Sequence, residues 1–212
     1  MKFFAALLVL WAAVLPAEDE VSTQWNRALQ DIQKAKTALS TEAKKWKKRM
    51  SLDSTAQNNP EYLKHLVRNE FYKLTEPYSM VPVVKPEALI DKIGDSNWVW
   101  VDVRQPEEQS VSTLSGALAP QDFAVRYRNP KHLAGKKVLV FDTIGYRSAV
   151  YGAQLLKMGI SVSVLEGGLL AWTHAGGGLV SLSADSVSSP TQNLHIYDPE
   201  RNWIHPDYTA VW

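Results

Sequence analysis

The stretch Lys136-Lys137-Val138-Leu139-Val140-Phe141-Asp142-Thr143-Ile144-Gly145-Tyr146-Arg147 decides the fold. Its first half is a continuous apolar run, the pattern of a strand buried on both faces of a parallel sheet. Its second half turns through a glycine into a helix predicted over residues 148–158 and stopped by Gly159. Working outward, residues 97–101 and 161–165 read as two further strands, and residues 86–93 as a short helix ending at Gly94. After the last strand, Glu166-Gly167-Gly168 turns into Leu169-Leu170-Ala171-Trp172. Strands that alternate with helices specify an α/β domain built on a parallel sheet.

Three motifs carry a family likeness. They are Val101-Asp102-Val103-Arg104-Gln105-Pro106-Glu107-Glu108, the loop Gly145-Tyr146-Arg147-Ser148-Ala149, and Glu166-Gly167-Gly168 followed by Ala171-Trp172. In this order and spacing, over residues 81–180, the chain resembles the rhodanese-like domain. The resemblance implies a five-stranded parallel sheet flanked by helices. Active members of that family hold a cysteine where this chain has Asp142. They commonly read Gly-His-Ile-Pro-Gly-Ala between the first two motifs, where this chain reads Ser112-Thr113-Leu114-Ser115-Gly116-Ala117. The resemblance therefore implies a catalytically inactive type.

The chemistry agrees, because the 212 residues include no cysteine. Persulfide transfer needs a thiolate to hold the travelling sulfur, and a carboxylate cannot form that bond. Thiolate metal sites, disulfides and cysteine-based phosphatase chemistry are excluded on the same ground. No catalytic residue, metal site or cofactor is assigned. The degenerate loop Asp142, Thr143, Ile144, Gly145, Tyr146 and Arg147 retains the ingredients of an anion cradle, with backbone amides at a helix start beside an arginine. The Asp142 carboxylate is expected to accept those amides or pair with Arg147, serving as a built-in ligand. A phosphoryl-acceptor role is disfavoured, since the Asp-x-Asp pattern of aspartyl-phosphate enzymes fails at Ile144. Asp102, Arg104 and Glu166 lie near strand ends and form a possible pocket, with loop bracing as the plainer reading.

The rest of the chain is organised around this domain. Met1-Lys2 precedes fifteen apolar residues, 3–17, and then Glu18-Asp19-Glu20, which reads as a signal peptide. At ~1.5 Å per residue that run reaches only about 23 Å, short of a ~30 Å hydrocarbon core. The expectation is an exported protein, periplasmic or secreted. Residues 18–75 read as a helical hairpin: one amphipathic helix with Trp25, Leu29, Ile32, Leu39, Ala43, Trp46 and Met50 on a face, and a second opened by Asn59-Pro60-Glu61. Leu63, Leu66, Val67, Phe71 and Leu74 form the stripe of the second helix. The run Lys44-Lys45-Trp46-Lys47-Lys48-Arg49 is a candidate partner surface for an anionic contact, with a solvated helix face as the plainer alternative. Charge is uneven: residues 21–75 hold 11 basic against 5 acidic side chains, and residues 76–212 hold 11 against 14.

Residues 181–190 are rich in serine and read as a linker. The tail beyond is too short for a domain and carries Tyr197, Trp203, Tyr208 and Trp212 as docking anchors. The pairs His195 with Asp198 and His205 with Asp207 lack metal-ligand spacing. The domain plan is thus 1–17, 18–75, 76–180 and 181–212. The functional expectation is a non-catalytic binding or assembly module whose partner is another exported protein, with no nucleic acid involved. The alternative is an enzyme or an anion or metal receptor that reuses the Asp142–Arg147 pocket without persulfide chemistry.

Overall fold

Valines line one face of the central sheet and bulkier side chains line the other. Val99, Val101, Val138, Val140, Val162 and Val164 share a buried cluster with Phe123, Ala149, Tyr151, Ala153 and Leu155. Trp100, Leu139, Phe141 and Leu165 face a second cluster with Leu63, Val67, Leu169 and Trp172. This period-two alternation puts apolar residues on both faces, as a helix-covered parallel sheet requires.

The computed structural model describes residues 26, 27, 30, 31, 34 and 59–212, apart from 183–187, 200 and 201. The expected signal peptide, most of the first expected helix and the basic run Lys44, Lys45, Trp46, Lys47, Lys48 and Arg49 lie outside the described residues. Asn26, Arg27, Gln30, Asp31 and Lys34 are helical, and Gln154 Nε2 donates to Asp31 Oδ2 at 3.1 Å.

Helix α1 spans Pro60–Thr75, with the Asn59 side chain accepting from the amides of Glu61 and Tyr62. The sheet follows: β1 (Val83–Val84), β2 (Trp98–Asp102), β3 (Lys137–Phe141) and β4 (Val162–Leu165). These four are all parallel, in the order β1-β4-β3-β2. Around them lie α2 (Pro106–Val111), α3 (Pro120–Arg126), α4 (Tyr146–Lys157) and α5 (Gly168–His174).

The α/β parallel class holds, but the sheet has four strands rather than five. Leu118 takes the fifth place as an isolated parallel bridge to Val101, giving its amide to Trp100 and accepting from the amide of Asp102. Pro120 opens α3 two residues later, leaving no room for a longer ladder. The helix expected over residues 86–93 is instead two single 3-10 turns, Pro86–Ala88 and Ile90–Lys92, separated by the buried Leu89. So short a segment forms few intrahelical bonds and settles into the tighter turn.

The serine-rich stretch is not simply a linker. Strand β5 (Leu179–Leu182) pairs antiparallel with β6 (Ser188–Thr191), and β7 (Asn193–His195) pairs parallel with β8 (Thr209–Val211). Leu194, Ile196, Trp203 and Ile204 enter the same core cluster as Leu63 and Val67. The helix before the central domain and the tail after it therefore build one side of its core. Among the tail aromatics Trp203 is the buried anchor, at 5% exposure, whereas Trp212 is 66% exposed.

Candidate functional site

Strands β2, β3 and β4 all end at the same edge of the sheet, so their parallel register delivers Asp102, Asp142 and Glu166 there. That edge is where parallel α/β sheets place their ligands. After Phe141 the chain turns at Asp142 and reaches Gly145 with φ +110°, a left-handed value that glycine adopts without steric cost. Helix α4 begins at Tyr146, so its first amides point back into the turn.

Those amides find Asp142. Its Oδ1 accepts from the Gly145 amide at 2.7 Å, the Ser148 hydroxyl at 2.8 Å and the Ser148 amide at 3.4 Å. Its Oδ2 accepts from the Arg147 amide at 3.3 Å and Arg147 Nε at 3.4 Å. Asp142 is fully buried. The donors that would bind an external anion are thus consumed by a carboxylate from the loop itself.

Arg147 is anchored on its other side by Glu108 of α2. Nη1 donates to Oε2 at 2.6 Å and Nη2 to Oε1 at 2.8 Å, a two-pronged pair. Thr143 bridges the pair, donating to Glu108 Oε1 at 3.2 Å and accepting from Arg147 Nη2 at 3.3 Å. Burial alone would favour the neutral Glu108 carboxyl, but the hydrogen bonds and charge of Arg147 outweigh it and hold the pKa down at about 2. Burial likewise disfavours the Arg147 cation, and Glu108 and Asp142 more than compensate, raising its pKa above the ordinary value. Ile144 is buried, and Tyr146 sits half-buried, edge-on to Tyr78 with centroids 6.0 Å apart.

Asp102 and Arg104 pair with one another through Nε and Nη2, while Arg104 Nη1 is buried without a hydrogen-bond partner. Arg104 Nε donates to Asp102 Oδ1 at 3.0 Å and Nη2 to Oδ2 at 2.7 Å, and the Thr113 hydroxyl adds a 2.7 Å bond to Oδ2. Arg104 Nη2 also reaches the Ser112 carbonyl, so the pair braces the segment after α2. Glu166 faces α1 instead: Oε1 accepts from the Tyr72 hydroxyl at 2.6 Å and lies 3.2 Å from Arg68 Nε. The structure therefore does not gather Asp102, Arg104 and Glu166 around a shared opening; each is committed to a protein partner. Among the described residues no group of three or more His, Asp or Glu is placed to hold a metal ion. His195 Nδ1 accepts from the Tyr197 amide and His205 Nδ1 from that of Asp207, both within local turns.

Helix α1 lies across this edge. A methyl group added at Gly145 would overlap the Phe71 ring, and one at Gly167 would stand 2.9 Å from Val67 Cγ1. Gly168, with φ +58°, lets the start of α5 press onto the loop, where Asp142 and Thr143 carbonyls accept from the amides of Leu169 and Leu170 at 2.9 and 3.0 Å. An apolar depression lined by Phe71, Thr75, Tyr78, Val81, Ala149 and Val164 lies beside α1, and no polar group of the loop lines it.

Two residues of this site carry no role in the sequence reading: Glu108 and Ser148. Glu108 stands three residues after Gln105 with Pro106 between, the spacing at which a helix's third residue reaches back, and its Oε2 does accept the Gln105 amide at 3.0 Å. That signal marks a helix start and says nothing of Arg147, which lies 39 residues away.

Residues 85–175, which hold both the Asp102 turn and the Asp142 loop, fit the family model of the rhodanese-like domain. This segment is a rhodanese-like domain. Similar solved structures include a protein of unknown function and possible tyrosine phosphatase from Rhodopseudomonas palustris, 26% identical, with 50% of this chain and 91% of that one covered and a TM-score of 0.41. A rhodanese-like domain protein from Staphylococcus aureus is also 26% identical, covering 43% of this chain and 91% of that one at a TM-score of 0.37. A thiosulfate sulfurtransferase from Pseudomonas aeruginosa is 24% identical over 54% of this chain, at a TM-score of 0.44, and only 23% of that structure is spanned. Helix α1, β1 and the tail from β5 onward lie outside the matched residues 85–175.

Proposed function

We propose that this chain is a non-catalytic rhodanese-like protein that works by binding, as an exported assembly or accessory module. One observation carries the reading: the Asp142 carboxylate fills the loop's own anion cradle, with 0% exposure, in a chain that has no cysteine. A persulfide has no sulfur to form on. A substrate anion would meet a buried negative charge already holding the Gly145, Arg147 and Ser148 amides, and like charges in one small site repel. Helix α1 supports the same conclusion by lying over Gly145 and Gly167.

Export is supported by the single lysine, the fifteen-residue apolar run and the acidic residues that follow it. Among the described residues no helix is long and apolar enough to cross a membrane. An anion receptor reusing the loop would need open donors, and Asp142 and Glu108 hold those of Gly145, Arg147 and Ser148.

The test is turnover by the purified full chain. Incubation with thiosulfate and cyanide is expected to yield no thiocyanate above buffer, and p-nitrophenyl phosphate no phosphate release. Product formation proportional to protein concentration, persisting through repurification, would overturn the proposal.

A further inference from the structure

Between Asp122 and Asp142 the chain carries no acidic residue, yet it holds Arg126, Arg128, Lys131, Lys136 and Lys137 within twelve positions, with His132 among them. Residues 76–212 hold 11 basic and 14 acidic side chains, so the remainder of that region has six cations against fourteen carboxylates. Charge is therefore segregated, not interspersed. The five follow one another from the last turn of α3 (Arg126) through the bend at Arg128 and the 3-10 turn Pro130–Leu133 (Lys131) to Lys136 and the start of β3 (Lys137). That is the end of β3 opposite Asp142.

Arg126, Arg128, Lys131, His132 and Lys137 are exposed. Lys136 Nζ donates to the Ser96 carbonyl at 2.8 Å, and Lys137 Nζ lies 5.2 Å from the centroid of the Trp98 ring. A carbonyl and a ring hold these two lysines, and neither contact neutralises their charge. Val125, next to Arg126, is 79% exposed, more than any other exposed large apolar side chain among the described residues. Beside it Tyr127 is half-buried, its ring 5.3 Å from that of Phe123. Two arginines beside a braced tyrosine are the residue types enriched at protein-binding hot spots, and Val125 adds an exposed apolar contact next to them.

We infer that this face, centred on Val125, Arg126 and Arg128 and extending to Lys137, docks an acidic surface of a partner protein. The inference rests on the reading of the chain as a binding module and names the surface and the partner's chemistry. A lipid surface fits less well: α3 has seven residues and offers no broad apolar face to insert. Single-stranded nucleic acid would need exposed stacking rings, and Trp98 lies beneath Lys137. Because the face is at the far end of the sheet, occupying it leaves the Asp142 loop untouched.

The test uses the full chain and immobilised poly-L-glutamate as the acidic probe, with equimolar phosphatidylcholine–phosphatidylglycerol vesicles and a single-stranded oligonucleotide beside it. Wild type is expected to bind poly-L-glutamate at low salt and to release it at high salt. The double reversal R126E/R128E should weaken binding by about tenfold or more, and R126Q/R128Q by less, with unchanged melting temperatures. The reversal K44E/K45E, in the other basic run, should weaken it less than R126E/R128E. Wild-type affinity in R126E/R128E, loss only in K44E/K45E, or tighter retention on vesicles or oligonucleotide than on poly-L-glutamate would each overturn the inference. Sulfurtransferase turnover would sink the non-catalytic reading while leaving this binding measurement unchanged, so the two fail separately.

Discussion

Glu108 and Arg147 meet in a two-pronged ion pair, 2.6 and 2.8 Å long, with each side chain 3% exposed. Arg147 also faces Asp142, so one cation serves two buried carboxylates. Replacing Arg147 by alanine strands both charges and should cost about 3–5 kcal/mol of stability. Arg147→Lys keeps the charge but loses the fork, and it should recover only part of that loss. Urea unfolding of both variants checks the order.

Acid should find the same pair. The folded pKa of Glu108 is about 2, below its ordinary 4.5. A depressed carboxylate contributes stability that is complete above its unfolded pKa and is lost as pH falls through its folded one. The contribution, roughly 3 kcal/mol at most, should therefore disappear between about pH 5 and pH 2. Glu108→Gln should flatten that limb of a stability-against-pH curve. A limb of unchanged steepness would assign the acid sensitivity to other groups.

Removing the built-in ligand should create a site. Asp142→Ala frees the Gly145 and Ser148 amides, the Ser148 hydroxyl and Arg147 Nε. The variant should be less stable than wild type and regain melting temperature as sulfate or chloride is added, by mass action of an anion that binds only the folded state. Wild type should show no comparable dependence at constant ionic strength. Equal anion responses in the two proteins would contradict the self-filled cradle.

Cover by α1 predicts protection of any nucleophile placed in the loop. Asp142→Cys would introduce the sole thiol, since the natural sequence has none. A disulfide reagent should modify it at least about a hundredfold more slowly in native protein than in urea, because reaction waits on local opening. Adding Arg68→Ala and Tyr72→Phe, which release Glu166 from α1, should speed modification. Fast native labelling of the single variant would show that α1 does not seal the edge.

Gly145→Ala joins two faults, a left-handed φ of +110° and overlap with Phe71. A loss of about 2 kcal/mol or more is expected. Phe71→Ala in the same chain should relieve the overlap but not the backbone strain, so the double variant should be less destabilised than additivity requires. Strict additivity would place Phe71 elsewhere.

The sequence exposes what is encoded locally. The strand 137–141, the glycine turn and the Asp142 substitution all sit within a dozen residues, and their spacing carries the fold and the site's central carboxylate. Bracing by Glu108 is different, for its helix-start spacing is visible while its partner Arg147 is 39 residues distant. Glu166 shows the same gap: a turn residue by sequence, it is held by Arg68 and Tyr72 from a helix about a hundred residues earlier. The stretch 181–190 reads as a linker because it is rich in serine, and only the pairing of Ser188–Thr191 with Leu179–Leu182 makes part of it a strand.

The shared core has a consequence for synthesis. Leu63 and Val67 enter the chain early, Leu139 and Trp172 in the middle, and Leu194, Trp203 and Ile204 near its end, yet all belong to one apolar layer. A nascent polypeptide can pair β2 with β3 long before it possesses the side chains that cover them on this face. Completion of the layer must wait until residues 194–204 have emerged, and before then Trp172 and its neighbours lack that cover.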